Sequence, residues 1–118
     1  MADSAWYVAK LRFLVLLESM GSEQAEESIF LFRSGDFAAA FARALELGRA
    51  AETQYVGGTG ELVRWRLKEV LTLDALQAAE LDGVAVYSEL TSVRDDERFR
   101  FDHVFEPEAS QPQRTGTV

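Results

Sequence analysis

WYVAKLRFLVLLE, at residues 6–18, is rich in aromatic and branched side chains and ends in the polar residues 19–27. This composition predicts a long β-strand followed by a loop. Side chains alternate between the two faces of a strand, so the odd positions from Tyr7 to Leu17 share one face. Trp6, Lys10 and Arg12 lie on the other. We expect the odd face to point to the core and the even face to carry the cations.

The segment ELVRWRLKEVL, at residues 61–71, alternates more cleanly. Its apolar side holds Val63, Trp65, Leu67 and Leu71, and its basic side holds Arg64, Arg66 and Lys68. Period-two order of this kind is typical of a sheet with one buried face. The glycines of residues 57–60 predict the turn that precedes it, because glycine tolerates the positive φ angles of tight reversals.

A helix is predicted over residues 36–52. Asp36 has a short side chain that can accept hydrogen bonds from the free amides of a first helical turn. An apolar stripe follows at three- and four-residue spacing, formed by Phe37, Phe41, Ala44, Leu45 and Gly48. The alanines add intrinsic helix propensity. We expect this stripe, with its two phenylalanines, to pack on the sheet.

The remaining apolar runs are shorter. Residues 28–33 predict a strand that forms an antiparallel hairpin with the first, although periodicity alone leaves a helix open. Further expectations are a short strand at 54–56, a helical turn at 74–81, a strand at 84–93 and an edge strand at 98–105. The predicted fold is α+β, with a mainly antiparallel sheet of four to five strands, one main helix on one face and a second short helix. Residues 1–105 form one domain, and residues 106–118 a disordered tail.

Composition limits the classes of function. Twenty acidic residues against twelve basic ones give a net charge of −8, which opposes a generic nucleic-acid coat and anionic lipid. Cysteine is absent, which excludes disulfides and thiolate zinc sites and fits a reducing compartment. The most apolar run, residues 11–17, is too short to cross a bilayer. We expect a cytoplasmic protein.

Residues capable of catalysis are sparse. The single histidine, His103, is surrounded by neither metal-ligand spacing nor a nucleophile motif. The glycine-rich turn at 57–60 lacks the lysine of a P-loop, and the acidic loops lack the ligand periodicity of a calcium site. We therefore expect no enzyme activity, no cofactor and no metal. A carboxylate-based hydrolase would need converging acids in a pocket.

Local basicity within an acidic chain is the main candidate for a site. Lys10 and Arg12 join Arg64, Arg66 and Lys68 on one sheet face if the two long strands are neighbours, and Trp6 shares that face. Such a surface can contact an acidic protein or nucleic-acid phosphates. It can equally be neutralised by cross-strand pairs with Glu27 and Glu69, which are worth at most about 1 kcal/mol each.

Several short segments together resemble a known family. They are WYVAKL at 6–11, ALELG at 44–48, Tyr55, GELVRW at 60–65 and VYS at 86–88. In this order and spacing, over about residues 6–90, they resemble the bacterial family called domain of unknown function 4288. The resemblance implies a small α+β domain with no assigned activity and no catalytic residues to transfer. It implies nothing about residues 91–118.

The functional hypothesis is a non-catalytic protein-binding or regulatory module, for example a regulator or inhibitor of another protein. The alternative is a nucleic-acid-binding module that uses the basic face. Homodimerisation is also expected. Phe99, Phe101 and Phe105 point the same way along the predicted edge strand at 98–105, where an unpaired edge would otherwise risk uncontrolled association.

Overall fold

A computed structural model describes residues 4–110 and 112, and within them not the side chain of Glu23. The elements are β1 (Ala5–Leu17), β2 (Gly21–Ser34), α1 (Phe37–Ala50), β3 (Thr53–Val56) and β4 (Leu62–Ala75). Short 3-10 turns follow at Asp95–Glu97 and Pro107–Ala109. The described chain divides into two compact units between Ser88 and Glu89. This division lies before the domain end predicted at residue 105.

All five elements belong to the first unit and form one sheet with one helix. The strands lie in the order β2-β1-β4-β3, and every pair is antiparallel. β1 is therefore a central strand, flanked over almost its whole length by the other two long strands. This arrangement confirms the α+β prediction, with four strands and one main helix.

The β1–β2 hairpin is longer than predicted. Its ladder runs from Ala5↔Ser34 to Leu17↔Gly21, so most of the expected loop at 19–27 is strand. Gly21 has a φ of +74°, which suits the tight reversal that begins β2. The polar composition of residues 22–28 misled the prediction, because an edge strand exposed to water tolerates polar side chains.

The core lies between α1 and the odd face of β1, as predicted. Tyr7, Ala9, Leu11 and Phe13 are buried there. Cross-strand rings extend the packing, with Tyr7 stacked on Phe32 at a centroid distance of 6.3 Å. Partly buried residues of β4 complete the layer, namely Trp65, Leu67, Val70 and Leu73.

The helix uses small residues, not its phenylalanines, to contact the sheet. It begins after Asp36, whose carboxylate accepts a 2.8 Å hydrogen bond from the Ala39 amide. Its buried positions are Ala40, Ala44 and Gly48. Ala44 and Gly48 of the predicted stripe are buried, but the prediction that Phe37 and Phe41 pack between helix and sheet was wrong, because they are 61 % and 44 % exposed. Small side chains allow the helix to lie close to the sheet, and this rotates the larger ones to its flank.

Two irregularities break the alternation of β4. The register with β1 shifts between Lys10 and Leu11 and again between Arg12 and Phe13, which leaves Leu71 and Lys68 without a partner in the ladder. Val70 therefore faces the core, and Leu71 is 37 % exposed, contrary to prediction. The helical turn expected at 74–81 was also wrong, because pairing with β1 extends β4 to Ala75.

Residues 76–88 cover part of the sheet face opposite α1. The strand predicted at 84–93 is absent from the described residues. Instead the Leu76 amide donates to the Trp6 carbonyl at 2.8 Å, and the Tyr87 ring lies 4.7 Å from the Lys10 ammonium. Val8, on that face, is only 2 % exposed. Tyr87 thus contacts this face although its segment does not pair as a strand.

The second unit contains no strand among its described residues, so the edge strand predicted at 98–105 was wrong. Phe99 stacks on His103 with ring centroids 3.8 Å apart. In an extended strand, residues four apart would be separated by about 13 Å. Arg98 and Arg100 pair with the nearby Asp95 and Asp102. The alternating aromatic and charged residues of 98–105 thus contact near neighbours in the sequence and form no strand. The predicted disordered tail, 106–118, falls largely on residues 111 and 113–118, outside the described residues.

Candidate functional site

The sheet face opposite α1 carries the predicted basic residues. In the β1–β4 ladder, Leu14 lies opposite Arg66 and Leu16 opposite Arg64. In the β1–β2 ladder, Arg12 lies opposite Glu27. Arg12, Arg64 and Arg66 therefore share this face, as the alternation predicted.

Glu27 forms ion pairs with two of the predicted cations. Its carboxylate lies 3.2 Å from the Lys10 ammonium and 2.6 Å from the Arg12 guanidinium. Hydrogen bonds from Lys10 and then Arg12 hold the pKa of Glu27 below its ordinary value. The pKa of Lys10 is raised, first by Glu27 and second by the Tyr87 hydroxyl, whose oxygen lies 3.4 Å away. This cluster is a structural ion pair within the sheet.

Glu27→Gln is expected to reduce the loss of stability in acid. A carboxyl with a lowered folded-state pKa stabilises the fold above its unfolded pKa, and this contribution disappears as the pH falls through the folded pKa. The difference in urea midpoint between wild type and Glu27→Gln should therefore be constant above about pH 6 and shrink between about pH 5 and about pH 3. In a Lys10→Gln background, the effect of Glu27→Gln on the urea midpoint should depend less on pH, because the hydrogen bond that lowers the pKa of Glu27 most is then absent. Parallel curves for wild type and Glu27→Gln through this range would contradict the assignment.

Lys68 is paired as well. Its ammonium lies 3.0 Å from the carboxylate of Glu69, its neighbour in β4, so this pair lies within one strand and is not the cross-strand pair expected for this acid. Lys68 also occupies one of the irregular positions of β4, outside the β1 ladder. Three of the five predicted cations are thus engaged by carboxylates.

Arg64 and Arg66 are held differently, by neutral oxygens. Nε of Arg64 and Nη2 of Arg66 both donate to the side-chain oxygen of Gln54, each at 3.1 Å. Nη1 of Arg66 donates to the backbone oxygens of Thr53 and Trp65, also at 3.1 Å. No carboxylate among the described residues lies within ion-pair distance of either guanidinium. Two like charges therefore sit side by side without a counter-charge.

Leucines lie beside these arginines. Leu14 and Leu16 are half-buried on the same face. A depression of about 300 Å³ opens next to them, lined by Leu16, Leu17, Glu18, Gly21, Leu62 and Arg64. We call Arg64, Arg66, Leu14 and Leu16 the arginine–leucine surface. The sequence analysis did not include these leucines among the site residues. The unbroken apolar run at residues 13–17 is the signal for them, because it places apolar side chains on both faces of β1.

Trp6 is remote from this surface. The Arg33 guanidinium lies 5.4 Å from the centre of its ring. Trp6 and Leu16 are ten positions apart in β1, a distance of about 33 Å at the usual rise per residue of a strand. The predicted site is therefore divided between Trp6 at one end, the Lys10–Arg12–Glu27 cluster in the middle and the arginine–leucine surface at the other end.

The other residues singled out from the sequence are acidic groups, a glycine-rich segment and three phenylalanines. Among the described residues, no three His, Cys, Asp or Glu side chains converge to hold a metal ion. The glycine-rich segment is a hairpin turn between β3 and β4, closed by a 2.8 Å hydrogen bond from the Gly57 amide to the Glu61 carbonyl. Phe99, Phe101 and Phe105 are strongly exposed in the second unit. No described helix is long and apolar enough to cross a membrane.

Most of the chain matches a known protein family. The family model described as Domain of unknown function (DUF4288) matches residues 6–88. The chain belongs to this family. The matched part of this DUF4288 protein includes the sheet, α1 and the covering segment 76–88, and it ends at the boundary between the two units. No curated protein and no solved structure matches the chain.

Proposed function

We propose that this DUF4288 protein is a non-catalytic protein-binding module, and that the arginine–leucine surface is where it contacts its partner. The observation that carries the proposal is the convergence of Arg64 and Arg66 on the neutral oxygen of Gln54. A partner carboxylate placed there would receive charge-assisted hydrogen bonds, which are roughly twice as strong as neutral ones.

The neighbouring leucines favour a protein partner. Arginine and apolar anchors together are typical of the central part of protein interfaces. Leu14 and Leu16 provide apolar contact area, and the depression beside Leu62 can accept a side chain. The partner segment we propose therefore carries an acidic residue next to an apolar one.

The ion pairs weaken the nucleic-acid alternative. Lys10 and Arg12 already share Glu27, and Lys68 is paired with Glu69. Of the five predicted cations, Arg64 and Arg66 are then the two left to meet phosphates. Two phosphate contacts give a small salt-dependent gain in affinity, on a chain whose net charge of −8 repels a polyanion.

A charge-reversal experiment tests the proposal. The wild-type chain, the double variant Arg64→Glu/Arg66→Glu and the control Arg98→Glu/Arg100→Glu serve as baits in native extract, and captured proteins are identified by mass spectrometry. The control changes the net charge equally, in the second unit. We expect a stoichiometric protein on wild type and control that is absent from the double variant, and a direct complex when it is purified.

Two results would contradict the proposal. The first is a partner bound equally by all three baits, because the arginines would then contribute nothing. The second is oligonucleotide binding, measured by filter binding, that is abolished by the double variant and weakens steeply with salt, since the surface would then serve nucleic acid.

A further inference from the structure

β2 forms one edge of the sheet and pairs only with β1. From Gln24↔Val15 to Ser34↔Ala5 its register is unbroken, a length of roughly 33 Å. On the outer side of residues 24–34, no strand lies among the described residues. β2 therefore presents a long, regular row of backbone groups that can pair with another strand.

The opposite edge is protected. β3 covers residues 62–65 of β4, and the Glu52 carboxylate accepts the Leu67 amide at 2.9 Å. Beyond it, the irregular positions Lys68 and Leu71 interrupt the strand. Bulges and short covering strands are the devices by which proteins prevent edge-to-edge pairing. Residues 24–34 of β2 contain no register shift, proline or lysine.

The exposed side chains of β2 are apolar where the edge is most regular. Ile29 and Leu31 lie on the face opposite α1 and are 47 % and 42 % exposed. Opposite them on β1 are Lys10 and Val8. An unprotected edge that bears apolar side chains associates unless a specific partner covers it.

We propose that a second copy of this chain covers this edge, with the two β2 strands pairing antiparallel about a two-fold axis at Phe30. Because the axis is perpendicular to the sheet, the α1 side of one copy continues into the α1 side of the other. Because the pairing is centred on Phe30, the numbers of two paired residues sum to 60. Ile29 then lies opposite Leu31 of the other copy, twice. Glu27 lies opposite Arg33, also twice. The two sheets become one sheet of eight strands.

The two adjacent registers with the same face alignment do not combine apolar and charge complementarity in this way. An axis at Ile29 would place Glu27 opposite Leu31 and Glu26 opposite Phe32. An axis at Leu31 would place Ile29 opposite Arg33. Only the axis at Phe30, among these three, pairs apolar residues with each other and opposite charges with each other. A two-fold interface must be self-complementary in this way.

This dimer differs from the one predicted from the sequence. Phe99, Phe101 and Phe105 were expected to form the dimer edge, but their segment is not a strand and has no backbone edge to offer. The inference is also independent of the proposed function, because the arginine–leucine surface and the outer edge of β2 are different surfaces. The double variant Arg64→Glu/Arg66→Glu should therefore leave the dimer dissociation constant unchanged.

Sedimentation velocity over a dilution series tests the dimer and its register together. Ile29→Lys and Leu31→Glu each place a charge opposite an apolar residue, and each should raise the dimer dissociation constant at least 10-fold. Mixed one to one, they should form a heterodimer, because the introduced lysine then lies opposite the introduced glutamate while wild-type leucine faces wild-type isoleucine. Met20→Lys, at an exposed turn position, is the control and should remain dimeric. Far-UV circular dichroism checks that each variant folds.

Each alternative outcome overturns the proposal. A monomeric wild type at all concentrations excludes the dimer, and capture of a partner that Ile29→Lys and Leu31→Glu both lose would assign the edge to a strand of another protein. A dimer unaffected by either single variant uses another surface. Single variants that dissociate but do not recover on mixing exclude the axis at Phe30.

Discussion

Leu11→Ala is expected to lower the free energy of unfolding by about 2 to 5 kcal/mol, because it removes a fully buried side chain and leaves a cavity. Leu11 is the largest side chain with no exposed area. It lies in the middle of β1, opposite Ser28 on one neighbour and Val70 on the other. The surrounding strands are fixed by their ladders and can close over the cavity only in part. Since a domain of this size is stable by about 5 to 15 kcal/mol, the loss is large.

Urea unfolding measures this effect, and Leu90→Ala is the matched control. The Leu90 side chain is fully exposed, so the same substitution should change the free energy of unfolding by less than about 0.5 kcal/mol. For Leu11→Ala the midpoint should fall with an unchanged slope, as expected for a loss of native-state packing. Equal midpoints for the two variants would contradict the assignment of the core.

Gly48→Val is expected to lower the free energy of unfolding by about 3 kcal/mol through overpacking. A Cβ atom at Gly48 would lie 2.8 Å from Cδ2 of Leu67 and 2.9 Å from Cδ2 of Leu11. Both methyl groups are the ends of leucine side chains and would have to move, and Leu11 is fully buried among its neighbours. Valine adds two further methyl groups to this collision.

Gly48→Ala and Ala42→Val separate packing from helix propensity. Alanine gains about 1 kcal/mol of propensity over glycine, which offsets part of a packing cost of about 1 to 3 kcal/mol. Gly48→Ala should therefore be destabilised less than Gly48→Val. Ala42 is exposed on the same helix, so valine there should cost no more than about 0.7 kcal/mol. Thermal unfolding that ranks Gly48→Val beside Ala42→Val would show that the helix is not close to the sheet.

The alternation of β1 was predictable because it depends on the strand alone. Successive side chains of any strand point to opposite faces, so Tyr7, Leu11 and Phe13 could be assigned to the core from their spacing. The pairing of Glu27 with the basic face was anticipated as one alternative, because Glu27 was among the acids that a neighbouring strand could bring to that face. Its partners Lys10 and Arg12 follow from the β1–β2 register.

Features that depend on pairing between strands were not predictable. A bulge arises from a mismatch with the neighbouring strand, so the sequence of β4 alone could not show that Val70 replaces Leu71 in the core. Likewise, the meeting of Arg64 and Arg66 at Gln54 follows from the β3–β4 register, in which Gln54 lies opposite Arg64.

Short apolar runs were ambiguous for a different reason. Residues 84–88 have the composition of a strand, yet Tyr87 packs on the sheet face near Lys10 and forms no ladder. A segment that covers a sheet face and a strand paired within the sheet are both rich in apolar side chains, so composition does not distinguish them. The helix posed a related problem, because the closeness of its approach at Gly48, and not its apolar stripe, decides that Ala40 is buried and Phe37 is exposed.

The position of β1 in the sheet has a consequence for how the chain assembles. β2 follows β1 directly in the chain, so this hairpin can form before the rest of the sheet. The other partner of β1 is β4, which is separated from it by a hairpin strand, a helix and β3. Such distant pairing is slow, because loop closure precedes the gain from contacts. Until β4 pairs with it, the second backbone edge of β1 is open to other strands.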